Sequence, residues 1–136
     1  MIKKRPKYGN KKVIIDGILF DSKKEGMRWL ILKDALANGT ITDLERQVKV
    51  ELIPQIKEEV VKHLKTKDKI EMRVAQKAIN YVCDFRYLKN GQEVFEDVKA
   101  SPKTASLDKV FLLKEKLFFW RYGIRLKRVY NANDPI

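Results

Sequence analysis

Asp84, Asp97 and Lys99 have the types and the spacing of a hydrolytic centre. Asp84 falls in a strand-like run, Ile79–Leu88, and Asp97 in a second, Gln92–Ala100, with Asn90-Gly91 between them. Asn-Gly flanked by alternating apolar residues is a strong signal for a two-residue hairpin turn. Such a turn pairs Lys89 with Gln92, and carrying that register back along the hairpin sets Asp84 directly opposite Asp97. Lys99 lies two residues beyond Asp97, so alternation predicts it on the same face. Tyr81, Cys83, Phe85, Tyr87, Val94 and Val98 are predicted to share the other face and to form core.

Two carboxylates facing each other across a strand pair repel, and the pair needs a compensating cation. Lys99 supplies one charge. A hard divalent metal, Mg²⁺ or Mn²⁺, is the stronger answer for clustered carboxylate oxygens, and it would activate water and stabilise charge building on a phosphate. Lys99 would then orient or deprotonate the water, or balance the charge of the transition state. Glu25 is the candidate for a third carboxylate. Each member also has a plainer explanation. Ser22-Lys23-Lys24-Glu25 is a capping box, in which Glu25 reaches back to the Ser22 amide. Asp84 and Asp97 are equally readable as solvated carboxylates paired with Arg86 or Lys99. His63 stands alone in a charged stretch, and Cys83 reads as inert core.

The elements that would position these residues can be read in order. Lys12–Ile15 and Ile18–Phe20 flank Asp16-Gly17, a hairpin signal. Asp21-Ser22 opens a helix that runs to about Ala37 and stops at Asn38-Gly39. Glu25, Trp29, Leu32 and Leu36 fall on one face of that helix, so the face is predicted to point into the core with Glu25 at its head. Glu45–Ile53 reads as a strand ending at Pro54. Residues 55–70 are dense in Lys and Glu and are expected to form a charged excursion, either mobile or helical. Strand character returns near Glu71. A helix is predicted over about Ala105–Tyr122, with Leu107, Val110, Phe111, Lys114, Leu117, Phe118 and Arg121 as its inward stripe. Gly123 ends it, and Ile124–Tyr130 closes as a strand. A hairpin, a helix, three strands, a helix and a strand imply a small mixed α/β (α+β) sheet flanked by helices.

Length and charge set the frame. The chain has 136 residues, enough for one core, so residues 1–136 are expected to be a single domain. Thirty Lys and Arg against 18 Asp and Glu give a net charge of +12, which favours a polyanionic partner, nucleic acid above all. The first eleven residues are basic and aperiodic, and read as a flexible arm able to lie on a phosphate backbone through Lys3, Lys4, Arg5 and Lys7. Lys103, close behind the active strand, is a further candidate contact. No apolar run is long enough to cross a membrane, and the Met1–Arg5 start is unlike a secretory signal. The single cysteine excludes an internal disulfide and fits a cytoplasmic location.

The segments Asp84 and Asp97-Val98-Lys99, with Glu25 on the preceding helix, resemble the PD-(D/E)XK nuclease superfamily. Lys7-Tyr8-Gly9-Asn10-Lys11, Phe20-Asp21-Ser22-Lys23-Lys24-Glu25, Phe95-Glu96-Asp97-Val98-Lys99, Leu117-Phe118 and Tyr122-Gly123-Ile124 resemble, more narrowly, a small phage endonuclease-like family described as DUF1064-like. The resemblance implies a restriction-endonuclease-like αβββαβ core and a divalent-metal-dependent DNA endonuclease. It makes Asp84, Asp97 and Glu25 metal ligands, Lys99 the catalytic lysine and Gln47 an assisting residue. It also implies a phage Holliday-junction or branched-DNA resolvase as one form of that activity, working in the bacterial host's cytoplasm. Two symmetric cuts would call for a homodimer, for which Phe119 and Trp120 are candidate contacts, though they are equally readable as core. Cys83 stands at the position where the superfamily's name has proline, and Asp97 replaces the more frequent Glu. The rival reading is a non-catalytic basic DNA-binding accessory protein of phage replication or recombination, with the acids structural.

Overall fold

The computed structural model describes residues 11–136, and the predicted N-terminal arm, with Lys3, Lys4, Arg5 and Lys7, lies outside them apart from Lys11. The described chain is mixed α+β. It opens on a hairpin of β1 (Val13–Ile15) and β2 (Ile18–Phe20), turned by Asp16 and Gly17 at φ 54° and 73°, as a tight hairpin turn requires. Helix α1 (Lys23–Ala37) follows, and the Ser22 hydroxyl caps it by accepting the Glu25 amide at 3.1 Å. Strand β3 (Thr42–Ile53) leads into β4 (Ile56–His63) and β5 (Asp68–Gln76), then β6 (Ile79–Lys89) and β7 (Gln92–Val98). Helices α2 (Pro102–Leu107) and α3 (Lys109–Tyr122) cross over to β8 (Lys127–Val129).

The central sheet has the order β3-β6-β7-β8. Its first three strands are antiparallel, and β8 lies parallel to β7, which the helical crossover makes possible. Omitting the terminal hairpin, the β4–β5 ribbon and short α2, the order is αβββαβ.

Each face of this sheet carries its own core. Leu52, Tyr81, Cys83 and Phe95 pack with Phe111 and Phe118 of α3, while Phe20, Leu32, Ala35, Ile41, Phe85 and Tyr87 form a second cluster with α1 and the hairpin. Each fully buried aromatic or leucine contributes roughly 1.5–3 kcal/mol. Strand β6 therefore gives Tyr81 and Cys83 to one face and Phe85 and Tyr87 to the other, whereas strict alternation predicts all four together. Strand β3 changes face at the same level, with Val48 and Val50 against the α3 cluster and Leu44 against the α1 cluster. The pairing is Val48↔Cys83 on one side of the change and Arg46↔Phe85 on the other. Between them Gln47 sits at φ 52°, a left-handed conformation that breaks the two-residue alternation.

Several expectations are corrected. Residues 55–70 are neither mobile coil nor helix but most of a two-stranded ribbon, β4–β5, in which Val60, Val61, Ile70, Met72 and Val74 sit among charged residues. Their spacing is diluted by lysine and glutamate, which hides the strand pattern. The predicted helix over 105–122 is two helices, because Asp108 leaves the helical conformation and caps α3 by accepting the Phe111 amide at 3.0 Å. Of its predicted inward stripe, Phe111 and Phe118 are buried but Leu107 and Val110 are exposed. In α1, Leu36 is exposed, and Arg28 is fully buried instead. Strand β7 ends at Val98 rather than Ala100, and β8 is shorter than Ile124–Tyr130.

Arg28 reaches across the α1 face to Glu96 in a bidentate pair, at 2.7 and 2.8 Å, and both side chains are fully buried. The Tyr87 hydroxyl donates to the same carboxylate, and the Arg28 guanidinium also donates to the Ala132 carbonyl at 3.0 Å. The chain end is thereby tied to the first helix and the middle of the sheet.

Candidate active site

Asp84 lies where β6 changes face, and Asp97 is carried by the neighbouring strand β7. The β6–β7 pairing is regular from Lys89↔Gln92 to Phe85↔Glu96, and Asp84 and Asp97 are the next residue along each strand. There the carboxylate of Asp84 accepts the backbone N–H of Val98 at 2.8 Å. Asp97 is buried, and its Oδ2 lies 3.1 Å from Lys99 Nζ. The same ammonium sits 3.7 Å from the centre of the Phe111 ring, so α3 supplies an aromatic floor beneath it. The backbone of Lys99 is fixed as well. Its N–H donates to the Val129 carbonyl at 2.8 Å, while Lys24 Nζ donates to the carbonyls of Lys99 and Ala100 at 3.3 and 2.9 Å.

Glu25 comes to this row from α1. Its amide takes the Ser22 cap, but its carboxylate turns away to accept Gln47 Nε2 at 3.1 Å, so the capping box is only half made. Gln47 Nε2 also makes a long contact, 3.5 Å, with Asp84 Oδ1. Gln47 thus joins Glu25 to Asp84 from a backbone conformation that costs a non-glycine residue on the order of 1 kcal/mol or more. Strain of this kind persists where the surrounding structure needs the side chain in one place.

The electrostatics follow from crowding acids in a half-buried place. Burial, followed by a hydrogen bond and repulsion from Asp97, pushes the Asp84 carboxyl up to about 9. Burial raises Glu25 as well, with Asp21 adding to it and Arg46 opposing it. Tyr81 is raised above its usual range by burial and then by Asp97. Its buried hydroxyl has no hydrogen-bond partner of good geometry, which leaves a donor beside Asp97. Asp97, Lys99, Tyr81 and Phe111 line an open cleft of about 300 Å³, with Asp108 and Lys114 at its margin.

Hard carboxylate oxygens in a row that repels itself fit a divalent cation in kind. Asp84 and Asp97 are the pair that converges. Among the described residues no three acidic, histidine or cysteine side chains come close enough together to hold a metal as a set, because Gln47 stands between Glu25 and Asp84.

The remaining sequence candidates lie elsewhere. Glu96, next to Asp97, turns to the opposite face and is held by Arg28. Arg86 pairs with Glu93 and Glu45 rather than with Asp84. His63 is paired with Asp68 in the ribbon, Cys83 is buried, and Lys103 is exposed on α2. Phe119 and Trp120 are exposed on α3. Sequence reasoning missed Lys24, Tyr81 and Phe111 as neighbours of the site. Lys24 sits beside Glu25 on the site's own helix, which is a signal that was available. Tyr81 and Phe111 read only as core.

A family model described as "Protein of unknown function (DUF1064)" matches residues 5–133. No curated protein and no solved structure matches the chain. No helix among the described residues is long and apolar enough to cross a membrane.

Proposed function

We propose, from the premise that this chain belongs to the DUF1064 family, that it is a divalent-metal-dependent DNA endonuclease. The observation that carries the reading is the row formed by Asp84, Asp97 and Lys99, with Glu25 joined to it through Gln47. The αβββαβ order and the resemblance of this row to the PD-(D/E)XK superfamily support it. A net charge of +12 supports DNA as the substrate, since each neutralised phosphate releases counterions.

Asp84 and Asp97 would hold the cation, which when bound would supply Lewis acidity toward a phosphodiester. Lys99 is placed to hold a water beside Asp97 and to balance the negative charge that builds on the phosphorus-bound oxygens. The Tyr81 hydroxyl is a donor for a water or phosphate oxygen in the cleft. Gln47 donates to both Glu25 and Asp84 and so holds the two acids beside one another, and Lys24 fixes the strand end that carries Lys99. Branched or four-way DNA is one substrate form that the resemblance allows, a general or nicking endonuclease being the other. Incubation of supercoiled plasmid and four-way-junction DNA with Mg²⁺ or Mn²⁺ tests the reading. The wild type should cut, and Asp97→Ala and Lys99→Ala should not. Variants that cut like the wild type would remove this site from the chemistry, and a wild type inert on every substrate would favour the accessory reading.

A further inference from the structure

We propose that the β4–β5 ribbon is a DNA-binding arm, whose lysine-bearing tip takes phosphates while its exposed apolar face lies against the duplex. This rests on DNA as the ligand of the proposed function and adds a second contact site to it.

The ribbon stands apart from the two cores. Strands β4 and β5 form a sheet of their own, and of their residues only Val60 and Glu71 are even partly buried. An isolated two-stranded hairpin is marginal in water, so its retention needs a partner or a cross-strand brace. A brace is present on one face. Arg73 pairs with Glu58 at 3.2 Å, and Glu71 lies between Lys62 and Lys69 at 3.7 and 3.5 Å. By the pairing Lys57↔Val74, Glu59↔Met72 and Val61↔Ile70, the other face carries Val61, Ile70, Met72 and Val74, all exposed, with Lys57 and Glu59 among them. Four neighbouring apolar side chains left in water mark a contact surface.

The tip says what the surface contacts. Residues 62–69 contain four lysines and one aspartate, with Leu64 exposed at the turn. The aspartate is already engaged by His63, and among the described residues Lys65 and Lys67 make no ion pair. A second copy of a chain with a net charge of +12 would be repelled by such a tip, whereas a polyanion is attracted to it. Shape agrees, because a B-form major groove admits a two-stranded ribbon and exposed apolar side chains can meet bases or sugars. The ribbon also continues the β3–β6 pair, which carries Gln47 and Asp84. Ile53↔Ile79 closes β3–β6, and Ile56↔Gln76 opens the ribbon just beyond Pro54. The eight residues of β4 extend roughly 26 Å. That is about eight base pairs of duplex, so the arm would hold DNA well away from the scissile bond.

The test is fluorescence anisotropy of a labelled duplex of about 30 base pairs with the full-length chain in EDTA, between 50 and 200 mM KCl. Lys65→Ala/Lys67→Ala should weaken binding roughly tenfold at 100 mM KCl and reduce the slope of log affinity against log salt by about 1.8. Ile70→Ser/Met72→Ser should weaken binding with the slope unchanged. Tip variants that bind with wild-type affinity and slope would overturn the proposal. So would apolar-face variants that bind DNA with wild-type affinity, and a lower mass for those variants in sedimentation equilibrium would make the ribbon a self-association surface instead. The two readings fail separately. A chain that binds through the arm and never cuts loses the nuclease reading alone, and a chain that cuts with a dispensable tip loses the arm alone.

Discussion

Replacing Asp84 by asparagine should make the metal-free protein more stable, by an amount that grows with pH. The Asp84 carboxyl is pushed from an ordinary 3.8 up to about 9, by burial first and by Asp97 next. Between those values the folded chain holds a proton that the unfolded chain has released, so stability falls as pH rises and the loss is complete above the folded value. One proton corresponds to about 1.36 kcal/mol per pH unit, so the wild type should lose up to about 2.7 kcal/mol between pH 6 and 8 through this group. Asparagine does not titrate, yet its oxygen can still accept the Val98 amide and its NH₂ can face Asp97. The stability difference between Asp84→Asn and wild type should therefore widen by about 2–3 kcal/mol over that interval, or roughly 6–9 °C in Tm for a domain of this size. Thermal unfolding in EDTA at pH 6, 7 and 8 measures it, and comparing the two proteins cancels every other titrating group. Adding Mg²⁺ or Mn²⁺ should raise the wild-type Tm and leave the variant where it was. Parallel pH profiles for the two proteins would refute the repulsion on which the metal reading is built.

Other perturbations separate structural from chemical roles. Arg28→Met leaves Glu96 buried without its partner and should cost about 3–5 kcal/mol in chemical denaturation, whereas an exposed pair such as Lys33–Asp16 should cost under about 1 kcal/mol. Gln47→Gly should hold the wild-type Tm within a few degrees, because glycine accepts φ 52° freely; Gln47→Ala should be less stable than Gln47→Gly by about 1 kcal/mol, and cleavage should drop in both. Lys24→Ala frees the carbonyls of Lys99 and Ala100, and should lower the cleavage rate several-fold with metal affinity nearly unchanged, as single-turnover kinetics and calorimetry would record.

The parts of the site legible in the sequence are those governed by local register. Asn90-Gly91 dictated the hairpin that brings Asp84 and Asp97 together across neighbouring strands, and the turn residues adopt the positive φ values, 52° and 76°, that this turn demands. The change of strand face was not legible, because it arises at Gln47, whose left-handed conformation is imposed by partners on α1 and β6 rather than by its own preference. The buried Arg28–Glu96 pair was hidden for a related reason. Arginine on a helix and glutamate on a strand both read as solvent-facing until the chain end at 132–134 closes over them. The ribbon was missed because lysine and glutamate outnumber the apolar residues that would announce its period.

The most direct test of the central claim combines metal binding and cleavage in one set of variants. Calorimetric titration with Mn²⁺ and cutting of a four-way junction would be measured for the wild type, Asp97→Ala and Lys99→Ala. Asp97→Ala should lose both binding and cutting, while Lys99→Ala should still bind Mn²⁺ and no longer cut. Wild-type cutting by Asp97→Ala, or cutting by the wild type that persists in EDTA, would contradict the central claim.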